Sequence, residues 1–318
     1  MTKSESKKLI VLAIGGNSLI VDAKHQTVHD QYQAVLETCS HIVRLLEQGY
    51  RVVITHGNGP QVGFILRRAE LAYPELHMVP LDSCGADTQG AIGYQIQQAM
   101  HNLMRGWPKP PPVATVVTQT LVDANDPAFQ KPSKPIGSFM DEGTAKDRRE
   151  KDGWNIVQDA GRGFRRVVAS PVPTEIIELE AIRRLVAENF IVVAAGGGGI
   201  PVVKKPDGRL TGADAVIDKD LATSLLANKL DADMMIISTA VEKVYLNFGK
   251  PNQQALDRMT VADAKKYMQE GHFAAGSMLP KIKAVVQFLE GGGKEAIITD
   301  PAHLAEAVAG RTGTRVVR

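Results

Sequence analysis

Short apolar runs alternate with amphipathic stretches along most of this 318-residue chain, and this alternation constrains the fold more than any other feature. The runs end in glycine or polar residues, and they are Leu9–Ile14, Arg51–Thr55, Val113–Thr118, Phe190–Ala195, Met234–Ser238 and Ala296–Thr299. Strands that are apolar throughout are buried on both faces, as in a parallel sheet. The stretches with helical spacing are Tyr32–Gln48, Gln61–Ala72, Thr174–Glu188, Ala213–Lys229, Val261–Glu270 and Pro280–Glu290. The pattern predicts an α/β protein, with a parallel sheet between two layers of helices.

Residues 123–164 interrupt the alternation and predict an insertion that stands off the sheet. The segment is polar and basic, contains three prolines, and shows little helical periodicity before about Asp141. A structureless loop of this length is unusual inside a compact domain, so we expect the insertion to form a body of its own. A second interruption, Ile200–Leu210, contains the Asp-Gly signal of a β-hairpin turn.

Charge balance and cysteine content narrow the class of protein. The chain has 37 basic and 35 acidic side chains, and this net charge of +2 argues against nucleic acid or a membrane as a charge-recognised partner. The longest charge-free stretch, Thr88–Met104, contains four glutamines, which excludes it as a membrane span. Cys39 and Cys84 lack the spacing of a metal knuckle or a redox pair. We therefore expect a reduced, cytoplasmic protein of one or two domains.

Three predicted strands lead directly into glycine-rich loops, which would lie together at the carboxyl edge of a parallel sheet. Backbone amides in such loops can close on anionic oxygens, and helices that start just afterwards add their positive dipole ends. Any one loop could serve only as a tight turn, but three together favour an anion site. None of them completes a P-loop or the dinucleotide motif GxGxxG. The residues predicted to bind substrate or phosphate are Gly15, Gly16, Asn17, Gly57, Asn58, Gly59, Gly197 and Gly198.

Two lysines stand at predicted helix amino termini, where a cation gains nothing from the helix dipole. Lys219 lies between two aspartates at the start of one helix, and Lys281 lies near the start of another. Such a placement lowers stability unless the lysine serves an anion, so both indicate phosphate chemistry. The alternative for Lys219 is a solvated salt-bridge cluster. Lys134 lies on the insertion between two stiffening prolines, and alone it would be an ordinary surface lysine.

Two weaker patterns leave alternatives open. His25 and His29 have metal-like spacing without a further ligand pattern, which favours exposed loop histidines over a metal site. The run Tyr245–Pro251 follows a predicted strand and could either clasp a flat base or form a packed aromatic cluster.

Seven longer motifs follow one another along the chain. They are AIGGN at Ala13–Asn17, THGNGPQVG at Thr55–Gly63, ADTQG at Ala86–Gly90, KPIG at Lys134–Gly137, AGGGGIPV at Ala195–Val202, AVIDKD at Ala215–Asp220 and KVYLNFGKP at Lys243–Pro251. In this order they resemble the carbamate kinases of the amino-acid kinase superfamily, over nearly the whole chain. Several ordered motifs of this length are far more specific than a single glycine loop.

The resemblance implies an open αβα sandwich with a mainly parallel eight-stranded sheet and a protruding subdomain, assembled as a homodimer. Within one kinase domain, residues 1–205 would hold mainly the small substrate and residues 206–318 mainly the nucleotide, with residues 123–164 as a lid-like insertion. The reaction would be ATP plus carbamate giving ADP plus carbamoyl phosphate, with Mg²⁺ accompanying the nucleotide. Such enzymes often run it backward in catabolism to make ATP.

Residue roles follow from the same resemblance. Lys219 and Lys281 match phosphate-stabilising lysines, Asp220 matches the acid that orients them, and Lys134 matches a lysine carried by the protruding subdomain. The nucleotide would be bound by residues Ala240, Val241, Tyr245 and Met278.

The implied reaction agrees with the residue types present. Carbamate is already an anion at neutral pH, so its attacking oxygen needs no general base. Because nucleophile, phosphoryl group and nucleotide are all negative, catalysis must come from amides, lysines and Mg²⁺. Four positions depart from the expected pattern: Leu279 stands where glycine is usual, Glu242 where aspartate is usual, and Phe164 and Ala169 where Trp and Pro are usual. Leu279 could reshape the nucleotide site.

Two other functions remain open at this stage. A sister kinase that phosphorylates acetylglutamate, aspartate or another carboxylate would share the fold and the lysines, but it would not be expected to carry the insertion with its Lys-Pro-Ile-Gly motif. A catalytically weak nucleotide-binding component of a catabolic complex would differ from an enzyme in turnover.

Overall fold

The computed structural model describes residues 7–20, 22, 24–159 and 163–318. The strands are β1 Leu9–Ile14, β2 Arg51–His56, β3 Val113–Thr115, β4 Gln119–Val122, β5 Lys134–Met140, β6 Ile156–Asp159, β7 Gly163–Val168, β8 Pro173–Ile176, β9 Ile191–Val193, β10 Ile200–Lys204, β11 Leu210–Gly212, β12 Met234–Ser238, β13 Val244–Leu246, β14 Gln254–Leu256, β15 Arg258–Thr260, β16 Glu295–Thr299 and β17 Thr314–Val317. The α-helices are α1 Val28–Glu47, α2 Gly59–Ala72, α3 Leu81–Met104, α4 Glu142–Asp152, α5 Leu179–Ala187, α6 Lys219–Lys229, α7 Val261–Gln269, α8 Met278–Glu290 and α9 Leu304–Val308.

An eight-stranded sheet forms the centre of the molecule, in the order β15-β17-β16-β12-β1-β2-β9-β3. All neighbouring pairs are parallel except β16 with β17. Alternate residues of β1 enter two separate cores, with Val11 facing the layer of α5 to α8 and Leu12 facing the layer of α1, α3 and α9. Burial on both faces explains why the strands are apolar throughout. The predicted αβα sandwich with a mainly parallel eight-stranded sheet is thereby confirmed.

Smaller sheets flank this centre. The order β11-β10-β4-β8 forms one of them, in which β10 and β11 are the two antiparallel arms of the predicted hairpin. The antiparallel pair β13 and β14 forms another. No helix among the described residues has both the length and the apolar character required to cross a bilayer.

The insertion contains a three-stranded antiparallel sheet, β5-β7-β6, and helix α4. Helix α4 begins where Asp141 accepts a hydrogen bond from the Thr144 amide, 2.8 Å away, as an N-cap. The insertion packs on α2, where a Cβ added to Gly63 would lie only 3.4 Å from Gly137 Cα. This small sheet extends to Val168, four residues past the boundary of the segment singled out in the sequence.

Two predicted helices had the wrong first residue, and one helix was not predicted. The predicted helix Thr174–Glu188 begins only at Leu179, because Pro173–Ile176 pairs with β4 as a strand. The predicted helix Ala213–Lys229 begins at Lys219, because Asp218 is its N-cap. Helix α3 was not predicted from the sequence. Its glycines weaken the helical signal, yet Gly93 is required there because an added Cβ would lie 2.3 Å from Thr115 Cγ2.

Candidate active site

The three glycine loops follow β1, β2 and β9, which are adjacent parallel strands, so they lie together at one edge of the sheet. The Gly57 amide donates to the Ile14 carbonyl at 3.1 Å, and this bond joins the first two loops. The third loop crosses Asn58, since a Cβ added to Gly197 would lie 2.1 Å from Asn58 Nδ2. Gly197 and Gly198 also have φ angles of +68° and +95°, which favour glycine. The side chain of Asn17, also predicted to bind substrate, lies outside the described part of the chain.

Gln89 holds the backbone of the third glycine loop in place through side-chain hydrogen bonds. Its side-chain amide donates to the carbonyls of Gly196 and Thr118, both at 3.0 Å, and its oxygen accepts from the Thr118 amide at 2.7 Å. All of these groups are buried, so the hydrogen bonds hold the backbone of the loop without competition from water. The sequence contained this residue in the ADTQG motif but gave no sign of its role.

His56, at the end of β2, supports two loops at once. Its Nδ1 donates to the Gly57 carbonyl at 2.8 Å, because a carbonyl can only accept. Its Nε2 lies under the third loop, where a Cβ added to Gly196 would be 2.3 Å away. Burial, reinforced by the charge of Lys219, lowers the pKa of His56 to about 4. His56 is therefore neutral at physiological pH, and the sequence analysis missed it.

Two predicted lysines meet on one predicted carboxylate beside the loops. Lys219 Nζ donates to Asp220 Oδ1 at 2.5 Å, and Lys281 Nζ donates to Asp220 Oδ2 at 2.9 Å. The side chains are 14%, 13% and 5% exposed for Lys219, Lys281 and Asp220, so this is not the solvated salt-bridge cluster considered as the alternative. The Lys219 side chain passes the second loop, with its Cδ 3.6 Å from a Cβ added to Gly57.

Charge compensation determines the ionisation of this cluster. Burial alone would raise the pKa of Asp220, but the ammonium groups of Lys219 and Lys281 outweigh it and hold the pKa well below its usual range. Burial lowers the pKa of Lys219, Lys281 adds to this effect, and Asp220 opposes it. Two cations share one anion, so the cluster keeps excess positive charge that can act on a phosphoryl group.

Lys134 reaches this region from the insertion. Its Nζ donates to Asp218 Oδ2 at 2.8 Å, two residues before Asp220. Lys134 and Asp218 line a cleft of about 760 Å³ that is also lined by Leu279. The structure therefore brings all four residues predicted to be catalytic to the start of α6.

The four residues predicted to bind nucleotide line a single cavity of about 280 Å³, together with Phe248 and Lys281. Ala240 and Val241 follow β12 after one intervening residue, Thr239, and Met278 begins α8. The rings of Tyr245 and Phe248 lie 5.8 Å apart at an angle of 50°. Phe248 is 64% exposed, so these rings form an open wall and not a closed aromatic core. The cavity suits a flat base, and Lys281 is part of its lining.

Leu279 and Glu242, two of the departures from the family pattern, occupy different places. Leu279 lines the cleft that faces the insertion, whereas its neighbour Met278 lines the nucleotide cavity. Leu279 is therefore placed to shape the cleft and not, as expected from the sequence, the nucleotide cavity. Glu242 accepts a hydrogen bond from the Thr312 hydroxyl, which ties the strand end after Val241 to the loop before β17.

The other candidates have ordinary roles. His25 pairs with Asp22 in an exposed loop. Within residues 7–20, 22, 24–159 and 163–318, no group of three or more His, Cys, Asp or Glu side chains is arranged to hold a metal ion. Cys39 and Cys84 are both free and buried.

Comparisons with known proteins agree with this geometry. The sequence model of the Amino acid kinase family matches residues 8–300. The chain is 53% identical to the carbamate kinase-like protein YahI of Escherichia coli and 47% identical to the carbamate kinase of Thermococcus kodakarensis, in each case over 98% of this chain and 99% of the relative. The solved structure of carbamate kinase from Giardia lamblia bound to AMP-PNP matches with a TM-score of 0.92 and 41% identity, covering 98% of this chain and 99% of that one. The chain thus belongs to the amino acid kinase family and, within it, to the carbamate kinases.

Proposed function

We propose that this protein catalyses reversible phosphoryl transfer, ATP plus carbamate giving ADP plus carbamoyl phosphate. One observation carries the proposal: Lys219 and Lys281 converge on Asp220 between the glycine loops and a cavity of a size and lining that suit a nucleotide base. In the cell the reaction would run toward ATP during catabolism.

The proposed step needs charge stabilisation and alignment more than proton transfer. A carbamate oxygen attacks the γ-phosphorus, a new P–O bond forms, and the bond to the bridging oxygen of ADP breaks, so that ADP leaves with that electron pair. Lys219 and Lys281 stabilise the charge on the phosphoryl oxygens, and Asp220 holds both ammonium groups in place. Amides of the loops at Gly15 and Gly57 receive the small anion.

The two halves of the chain would divide the substrates. Residues 1–205 supply the glycine loops and would hold carbamate, while residues 206–318 supply the cavity at Ala240 and would hold the nucleotide. The insertion at 123–164 would act as a lid that carries Lys134. A closed lid excludes water that would otherwise hydrolyse carbamoyl phosphate.

Mg²⁺ would arrive with the nucleotide. The described residues contain no all-protein metal cage, and Mg²⁺ in kinase sites is usually held by substrate phosphates, waters and one or two carboxylates. When bound, Mg²⁺ neutralises phosphate charge.

We also propose a cytoplasmic homodimer. In support, β3 is an edge strand of the main sheet, and a groove beside it is lined by Tyr94 and Pro110–Pro112. Tyr94 is 61% exposed on α3, so a second copy would cover apolar surface there. Sedimentation velocity tests the dimer, and a single species of monomer mass would contradict it.

The function is tested by coupled detection of ATP from purified protein, ADP, Mg²⁺ and carbamoyl phosphate. We expect ATP above a no-enzyme blank and its loss when a chelator removes Mg²⁺. Acetylglutamate and aspartate, each with ATP, serve as competing substrates for a sister kinase. Phosphorylation of either without ATP formation from carbamoyl phosphate would contradict the proposal, and no turnover with any substrate would favour a nucleotide-binding component.

A further inference from the structure

Asp218 has two separate partners, although sequence analysis considered it only as an acid flanking Lys219. Its Oδ1 accepts a hydrogen bond from the Asp220 amide at 3.0 Å and so caps α6. Its Oδ2 accepts from Lys134 Nζ at 2.8 Å. One oxygen of Asp218 is therefore hydrogen-bonded to helix α6, and the other to the insertion.

The backbone sets these two side chains opposite each other. Lys134 pairs with Val168 in the small sheet, and the next residue, Ala169, forms a parallel bridge with Ala215. The Val216 amide donates to the Ala169 carbonyl at 3.0 Å, only two residues before Asp218. A continuous hydrogen-bonded path thus links the strand that carries Lys134 to the segment that carries Asp218.

The contact also resolves an electrostatic problem. A carboxylate at the amino terminus of α6 would repel the anionic substrates proposed to bind beside it. The ion pair with Lys134 neutralises Asp218, whose side chain is 15% exposed. An ammonium has three donors, so Lys134 keeps two for a substrate while the third is anchored. An unanchored lysine would have to lose much of its rotamer freedom on each substrate encounter.

We propose that Asp218 is a positioning residue that anchors Lys134 of the insertion over the substrate site. Asp218 touches no reacting atom in this role and acts only through Lys134. The inference rests on the proposed function and adds to it a residue whose carboxylate sets the place of the lid lysine.

The test is a double-mutant cycle with Asp218→Asn, Lys134→Ala and the double variant. Asparagine is as good an N-cap as aspartate, so α6 keeps its cap while the anchor loses its charge. We expect Asp218→Asn to lower kcat/KM for carbamoyl phosphate roughly tenfold, with ADP affinity by calorimetry unchanged. In the Lys134→Ala background the same substitution should have no further effect.

Asp214→Asn is the matched control. Asp214 lies on the same segment and pairs with Arg166 at 3.6 Å, so this variant removes one negative charge without touching Lys134. Its kinetics should match those of the wild type. Equal losses from Asp218→Asn in both backgrounds would overturn the inference, because Asp218 would then act independently of Lys134. An unchanged kcat/KM, or a lower KM for carbamoyl phosphate, would also overturn it, the latter by showing competition with substrate.

A second readout separates this inference from the proposed function. The free energy of urea unfolding is measured for the wild type, Asp218→Asn, Lys134→Ala and the double variant. In this measurement residues 134 and 218 should be coupled whether or not the protein turns over substrate. Coupling in unfolding with an inactive wild type would reject the proposed function and keep the anchor. An active wild type without coupling in either measurement would reject the anchor alone.

Discussion

The pH dependence of stability should report directly on the buried state of His56. An unfolded histidine has a pKa near 6.5, whereas burial lowers the pKa of His56 to about 4. Below pH 6.5 the unfolded chain therefore binds a proton that the folded chain does not. The stabilising contribution is complete above pH 6.5 and is lost as the pH falls toward 4. The difference between these pKa values corresponds to about 3 kcal/mol.

His56→Asn isolates this contribution, since the asparagine amide can still donate to the Gly57 carbonyl but does not titrate. Urea unfolding is followed by circular dichroism from pH 7.5 to pH 4. The gap in unfolding free energy between wild type and variant should shrink by about 3 kcal/mol over this range. A gap for His56→Asn that stays constant within about 1 kcal/mol would refute the reasoning.

Three further predictions concern the neighbouring residues. Gly197→Ala should lower turnover in the coupled ATP assay at least tenfold, because the added Cβ would displace Asn58. This is roughly the effect of a small displacement at a reacting centre. Gly208→Ala is the control, since Gly208 also has a positive φ but open space around it, and this variant should keep wild-type turnover. Asp220→Asn should lower the unfolding free energy by about 3–5 kcal/mol at pH 7, since two buried cations lose their anion. This deficit in urea unfolding should shrink as the pH falls below about 4, because the unfolded chain then binds a proton at Asp220 that the folded chain, with its lowered pKa, does not. Leu279→Gly should lower the unfolding temperature while changing ADP affinity in calorimetry by less than about threefold, because Leu279 lines the cleft and not the nucleotide cavity.

The sequence was sufficient where one physical signal dominated. Buried parallel strands must be apolar on both faces, so β1 and β12 were predicted with their observed bounds. Glycine at a strand end is a backbone requirement, so the loops at Gly57 and Gly197 were found. Lys219 and Lys281 were found because a cation at a helix start is locally unfavourable, whereas Lys134 was found only through the family resemblance.

Other features depend on partners distant in sequence, and local pattern could not reveal them. Gln89 binds the Gly196 carbonyl, 107 residues away, and Lys134 meets Asp218 across 84 residues. His56 resembles any strand-end histidine until its burial under Gly196 is known. Pro173–Ile176 is a strand only because β4 lies beside it. In each case tertiary contacts determine the role of the residue.

The central claim is that the charge of Lys219 accelerates phosphoryl transfer itself. Single-turnover quench flow with ADP, Mg²⁺ and saturating carbamoyl phosphate measures this step, comparing wild type with Lys219→Ala and with Lys229→Ala, an exposed lysine at the far end of the same helix. We expect the transfer rate of Lys219→Ala to fall by roughly 10² to 10³, with Lys229→Ala unchanged and all three proteins folded by circular dichroism. A folded Lys219→Ala protein that transfers the phosphoryl group at the wild-type rate would contradict the account.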